Sequence, residues 1–475
     1  MLFTSLEFLF AFFPITFGVH FLLPQKARNY WLLLASLFFY AWGEPTFLPI
    51  MLISILFNYC LALRIAEAGE NQTARRLFLT LAVVGNLGLL FVYKYMNFIT
   101  ATLHEAIPAT QEMFEVSEYV LPIGISFFTF QAMSYVIDVY RGVPVQRNLA
   151  YLGLYISLFP QLIAGPIVRY TTVADEINSR KITPDSFCRG MIRFVKGFNK
   201  KMLLANILAL VADAAFGAQE LSVAMAWLGA IAYALQIFFD FSGYSEMAIG
   251  LGLMLGFTFL ENFDYPYISK TITEFWRRWH ISLGSWFRDY LYFPLGGSRV
   301  KSRLRLVFNL SVVWLATGIW HGANWTFILW GVLYGVIIIF EKLISIPQKV
   351  DQNLLLRIPY QIFSMVAVLF GWVLFRAPDL PSAGRYLASM LGFGASGLFD
   401  VTAGFHLLQY GVFLAAGLLV STPVFKTIGE KLTQKYHCGA AVCHGIGYAV
   451  QAFLFVISVS FIMMNAHNPF IYFNI

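Results

Sequence analysis

The sequence predicts an all-α protein that crosses a membrane many times, and three observations carry that prediction. Of its 475 residues 59% are hydrophobic and only 12% charged, whereas an ordinary soluble domain is about 25% charged. The mean hydropathy is accordingly +0.69. Apolar stretches of span length recur along the whole chain, and Lys and Arg gather in the short loops between them, the pattern of helices oriented by basic loops. No soluble domain of any size fits this composition. A net charge of +7 alone would suit nucleic acid. Here the basic residues sit beside aromatics in short loops, which points to membrane orientation and anionic lipid headgroups instead.

The first apolar stretch, LFTSLEFLFAFFPITFGVHFLL, lacks a basic leader and a small-residue cleavage site, so it is expected to be a retained span. Lys26 and Arg28 then mark a cytoplasmic loop and put the N-terminus outside. Spans are expected up to Gly43, over Phe47–Leu63, over Leu77 to about Tyr93 and over Tyr119 to about Val136. The loop bearing Glu105, Glu112, Glu115 and Glu118 is acidic and reads as external. A crossing over Leu149–Gly165 would place the basic stretch 169–201 outside. FPQLIAGP (159–166) is therefore read as a re-entrant hairpin broken by its Pro and Gly.

Thr183-Pro184 opens a helix whose Arg189, Arg193, Lys196 and Lys200 share one face, away from Phe194 and Phe198. It reads as an interfacial amphipathic helix or, alternatively, a dock for an acidic partner. Ala224–Leu260 looks too long for one crossing, and it holds Asp240, Ser242, Tyr244 and Glu246 within FFDFSGYSEMAIG. An intramembrane carboxylate is a functional candidate by default; the structural alternative is a carboxylate held by hydroxyls such as those of Ser242 or Tyr244. Segments 183–202 and 261–303 are expected to be basic and cytoplasmic or interfacial. Later spans are expected over Ile358 to about Phe375, His406 to about Leu419 and Ala449–Met464. The total is about eleven spanning or re-entrant segments in one transmembrane domain over 1–475.

Between Leu306 and Phe340 the chain has no Asp, Glu, Lys or Arg. A straight helix of that length would be roughly 50 Å long against a bilayer core of about 30 Å. The run must break, and Gly322-Ala323-Asn324 is the expected break, directly beside His321. An imidazole there must face protein or a water-filled cavity. Burial keeps an imidazole neutral near pH 7, a free base, so one at a helix break can take a hydroxyl proton while the oxygen attacks an acyl carbonyl. Read alone, a lone membrane histidine is a structural hydrogen-bonder. Gly318 and Gly322, like Gly331 and Gly335, are small-residue pairs that let helices approach.

The second histidine, His280, lies in TITEFWRRWHISLGSWFRDYLYFPLGG. Mixed Trp and Arg also suit a plain interfacial segment. The functional reading has Arg277, Arg278 and Arg288, with Trp279, hold an anionic substrate group. Asp289 is a salt-bridge partner for Arg288 or a site residue, and Tyr290, Trp320 and Asn324 complete the polar candidates. Four cysteines are too few for a disulfide framework, and His437-Cys438…Cys443-His444 does not have zinc-ligand spacing. No metal and no bound cofactor is expected.

ENFDYPYISKTITEFWRRWHISLGSWFRDYLYFPLGG and GIWHGANWTFILWG resemble the membrane-bound O-acyltransferase superfamily, in its alginate O-acetyltransferase-like branch. NYWLLLASLFFYAWG (29–43), LPIGISFFTFQAMSYVIDVYRG (121–142), LFPQLIAGPIVR (158–169), IFFDFSGYSEMAIGLGLMLGF (237–257), GWVLFRA (371–377) and NPFIYFNI (468–475) extend the resemblance over most of the chain. It implies that His321 matches the family's essential histidine and His280 its second polar position, 41 residues upstream. It implies a ring of helices around a central funnel and tunnel. Acetyl groups would come from a cytoplasmic donor, expected to be acetyl-CoA. They would pass across the bacterial inner membrane to a cell-surface polysaccharide of alginate, peptidoglycan or cellulose type, through extracytoplasmic partner proteins. Where many members carry Asp after the Ser of FSGYS, this chain carries Glu246. Two alternatives stay open at this stage. One is the same fold moving a D-alanyl group from a carrier protein. The other is a non-catalytic transporter, which would call for repeats between halves that the sequence does not display.

Overall fold

A computed structural model describes residues 1–107, 119–435, 439–464 and 471. Among them every regular element is helical, and eight helices are long and apolar enough to cross a membrane. Glu112, Glu115 and Glu118 of the loop expected to be external, the His437-Cys438 pair and most of the terminal NPFIYFNI lie outside the described residues. The chain divides into two compact units, residues 1–191 with 248–260 and residues 192–247 with 261–475.

The first unit begins with a π turn (Phe8–Phe12) and α1 (Phe13–Leu22), then α2 (Gln25–Gly43), α3 (Leu48–Glu67) and α4 (Gln72–Leu90). The Asn71 side chain caps α4 by accepting from the Ala74 amide at 3.0 Å. Asn58 and Asn86 exchange two amide hydrogen bonds, at 3.1 and 2.7 Å, and tie α3 to α4, polar glue of the kind that joins helices in lipid. The span expected to stop near Tyr93 instead runs on through a π turn (Phe91–Tyr95) into α5 (Met96–Ala106), because nothing in it breaks a helix. The next begins later than expected, at α6 (Ile125–Tyr140), after Gly124 at φ +75°.

The expected break at 159–166 is present as interrupted, buried backbone. α7 (Leu149–Ser157) is nine residues long, about 14 Å and too short to cross; Leu158 interrupts it and α8 (Phe159–Leu162) follows. Residues 152–168 are all buried. Their irregular backbone is satisfied by protein: Ser36 Oγ accepts from the Phe159 amide at 3.1 Å, and Tyr155 donates to the Val168 carbonyl at 2.9 Å. A short α9 (Tyr170–Asn178) follows.

α10 (Pro184–Lys200) continues through a π turn (Lys201–Ala205) into α11 (Asn206–Gly217). It is amphipathic as expected, with Phe194 and Phe198 buried and Lys196 exposed. α12 (Val223–Met254) corrects the length argument, since its 32 residues form one unbroken helix about 48 Å long. Most of it is buried inside protein, so bilayer thickness does not limit it. Gly243 is a contact point rather than a break: a Cβ there would lie 2.8 Å from the Gly197 carbonyl oxygen.

The second unit continues with α13 (Ile272–Arg278), α14 (Ile281–Phe287), α15 (Arg303–His321), α16 (Trp325–Leu343), α17 (Ile346–Gln352), α18 (Leu354–Arg376), α19 (Leu380–Met390), α20 (Val401–Val420), α21 (Val424–Lys435) and α22 (Gly439–Met463). Its core is aromatic, built on Phe275, Trp279, Trp314, Trp330, Tyr334 and Trp372. α15 and α16 form a tight hairpin in which Gly318 meets Gly331. A Cβ on Gly331 would sit 2.6 Å from the Trp314 carbonyl oxygen, and one on Gly318 would sit 2.6 Å from that of Phe327.

Candidate active site

The apolar run breaks where expected. α15 ends at His321, Gly322 is extended, and the Asn324 side chain starts α16 by accepting from the Thr326 amide at 3.0 Å. Asn324 also donates to the Pro378 carbonyl at 2.8 Å, which fixes the break. His321 is 3% exposed and boxed by aromatic rings, with Trp320 and Trp330 at 4.9 Å and Phe375 at 5.2 Å between centroids.

His280 occupies a built position. It is 2% exposed and holds φ +45° at the corner between α13 and α14, a left-handed conformation costly to a residue with a Cβ and found where surroundings over-determine it. Asn262 supplies those surroundings. Its carbonyl oxygen accepts from the Ser282 amide at 3.2 Å, which fixes that oxygen's identity, and from Ser282 Oγ at 2.9 Å. The same oxygen lies 3.1 Å from His280 Nδ1. Since Asn262 Oδ1 only accepts, Nδ1 must carry the proton and Nε2 the lone pair. Nε2 is buried and has no hydrogen-bond partner among the described residues. Burial pushes the His280 imidazole down to about 3, so the ring is a neutral base.

The two histidines open onto one cavity of about 260 Å³, walled also by Trp276, Arg277, Trp279, Arg288, Trp314 and Thr317. Trp320 touches both edge-on, its ring centroid 6.1 Å from that of His280 and 4.9 Å from that of His321. Arg277 and Arg288 are thus the basic candidates at the cavity. Arg278 is not: it donates to Glu274 at 3.0 Å and to the Asp264 carboxylate at 3.1 Å, on the far side of its helix. Arg288 also pairs with Asp289 at 2.9 Å. Tyr290 packs on Trp286 at 5.1 Å and, like Asp289, is absent from the cavity wall.

The carboxylates of α12 belong elsewhere. Asp240 forms a buried ion pair with Lys201 and accepts from the Ile471 amide at 3.0 Å. Glu246 accepts from Lys200 at 2.6 Å. The partners are Lys200, the last residue of α10, and Lys201, the first of the π turn after it, not the hydroxyls of Ser242 and Tyr244. A buried carboxylate held this way is a structural pair whose breakage leaves an uncompensated charge.

Besides Asn262, a second residue that the sequence did not single out organises the site. Glu341, fully buried near the end of α16, accepts from the Ile272 and Thr273 amides at 2.8 and 2.7 Å and from the Tyr360 hydroxyl at 3.0 Å. It joins the Thr271 side chain in capping α13, the helix that leads straight into His280. Among the described residues no group of His, Cys, Asp and Glu is placed to hold a metal ion.

Comparison with known proteins follows this geometry. Over 424 residues the chain is 45% identical to the probable alginate O-acetylase AlgI of Azotobacter vinelandii, covering 89% of this chain and 84% of that one. It is 40% identical to the probable alginate O-acetylase AlgI of Pseudomonas putida over the full length of both. To the peptidoglycan O-acetyltransferase of Helicobacter pylori it is 36% identical, covering 82% and 80% of the two chains. The profile of the membrane-bound O-acyltransferase family, MBOAT, matches residues 34–373, a range that takes in both histidines, the Asn262 cradle and the Glu341 cap, so this multi-pass helical membrane protein belongs to the MBOAT family.

Proposed function

We propose that the chain is an O-acetyltransferase of the bacterial inner membrane, its N-terminus outside. It would move acetyl groups from cytoplasmic acetyl-CoA toward the O-acetylation of a cell-surface polysaccharide. The carrying observation is that His280 and His321 share one cavity with Arg277 and Arg288. His321 is the general base: it takes the proton of the acceptor hydroxyl as that oxygen forms its bond to the acetyl carbon and the carbon–sulfur bond of the thioester breaks. The proton then passes to the departing thiolate. His280, whose Nε2 carries the lone pair, orients or relays that proton. The Trp276 indole N–H, buried and without a partner among the described residues, supplies a donor at the cavity wall. Arg277 and Arg288 hold the anionic part of the donor.

Names of the relatives support the class of acceptor, since alginate and peptidoglycan are both cell-surface polymers. Extracytoplasmic partner proteins carry the acetyl group onward or present the glycan. The deciding experiment adds radiolabelled acetyl-CoA to inside-out vesicles bearing the protein and identifies the labelled molecule. Label in a glycan or partner that requires His321 supports the reading; equal labelling by His321→Ala ends it.

A further inference from the structure

The first unit contains a cavity that the acyl-transfer site does not use. It measures about 170 Å³ and is walled by Lys26, Arg28, Asn29, Tyr151, Asn178 and Arg180, with no carboxylate on its wall. Three cations facing one small space with no carboxylate on its wall repel one another, and Glu176, off the wall, offsets only part of the Arg180 charge. Burial and then the Arg28 charge pull the Arg180 guanidinium down to about 10.

Arg180 is held rigidly. Its Nε donates to the Leu255 carbonyl at 2.9 Å, its Nη1 to Asn29 Oδ1 at 2.5 Å, and its plane lies 4.5 Å from the Phe257 ring. The remaining nitrogen, Nη2, is buried and has no hydrogen-bond partner among the described residues. A guanidinium fixed on three sides and short of an acceptor on the fourth is built to take an oxyanion. The start of α2 adds to this. Pro24 gives it no side-chain cap, and its first residues, Gln25 and Lys26, also wall the cavity, so the positive end of a 19-residue helix dipole faces the same space.

We infer that this cavity binds a phosphate group, with Arg180 as its fixed ligand and Lys26 and Arg28 as its rim. Phosphate has the acceptor oxygens for the unspent Nη2 donor and the charge to relieve three crowded cations. The source is a phospholipid headgroup or free phosphate. Leu22 and Tyr30, exposed beside the basic residues at 86% and 51%, offer apolar surface where a lipid's acyl chains would run.

The test uses the full chain in neutral detergent and measures thermal stability against added phosphatidylglycerol, phosphatidylcholine and inorganic phosphate. A rise with phosphatidylglycerol alone assigns the lipid headgroup, and an equal rise with inorganic phosphate assigns the free anion. Either must weaken about tenfold in apparent affinity when charged hydrogen bonds are lost, in Arg180→Gln and in the double variant Lys26→Gln/Arg28→Gln, while Arg64→Gln keeps it. Because Arg180 also holds Leu255, the rim variant decides if Arg180→Gln fails to fold. No rise with either ligand, or a rise that persists in the rim variant, overturns the inference.

Discussion

His280 and His321 face one cavity from opposite kinds of ground. His321 sits at the end of a membrane helix in a box of aromatic rings, its position set by a hairpin too tight for any side chain at Gly318 or Gly331. His280 sits on a strained corner, its ring turned by the carbonyl oxygen of one asparagine. One histidine is placed by shape and the other by hydrogen bonds. The difference teaches that substitutions nearby should fail in different ways: packing changes around His321 should cost the fold, and polar changes around His280 should cost proton handling.

Four outcomes sharpen or break this contrast. The largest is His321→Ala, expected to lower vesicle acetylation by about 10²–10⁴-fold, the range of a lost general base, with membrane insertion intact. Next, Gly331→Val should abolish accumulation of folded protein by fluorescence size-exclusion, because its Cβ meets backbone at 2.6 Å; wild-type elution would remove the packing account of His321. Asn262→Ala should lower activity about tenfold or more by freeing the His280 tautomer. Asn262→Asp, which still accepts from Nδ1–H, should restore much of it while shifting the pH–rate profile, a shift that a merely structural role would not produce.

The smallest effect is on acid stability. His280 titrates near 3 when folded and near 6.5 when unfolded. Between those values the unfolded chain binds a proton that the folded chain does not, so stability falls as pH drops below about 6.5. His280→Asn should flatten that acid slope in thermal melts at pH 4–7; an unchanged slope would mean the ring is reached by protons in the native state.

Much of the fold could be read before the structure because hydrocarbon enforces simple rules. The break at 322–324 follows from length alone, and the buried turn at 159–166 from charge placement. The same length rule failed for α12, since it holds only for helices bathed in lipid and α12 is sheathed in protein. The histidines and Arg277 and Arg288 were legible as polar groups out of place. Asn262 and Glu341 were not: each acts across 18 or more residues, on loops and helix ends where no periodicity marks a partner. Lys200 read as part of a basic interfacial face, yet it closes on Glu246 as its neighbour Lys201 closes on Asp240, pairings that only the packed helices display.

Glu341 gives the site its mechanics. It rides near the end of the same helix whose other end begins four residues after His321, and it grips the first amides of the helix that delivers His280. One rod therefore braces both imidazoles, through its start beside His321 and through the carboxylate near its end.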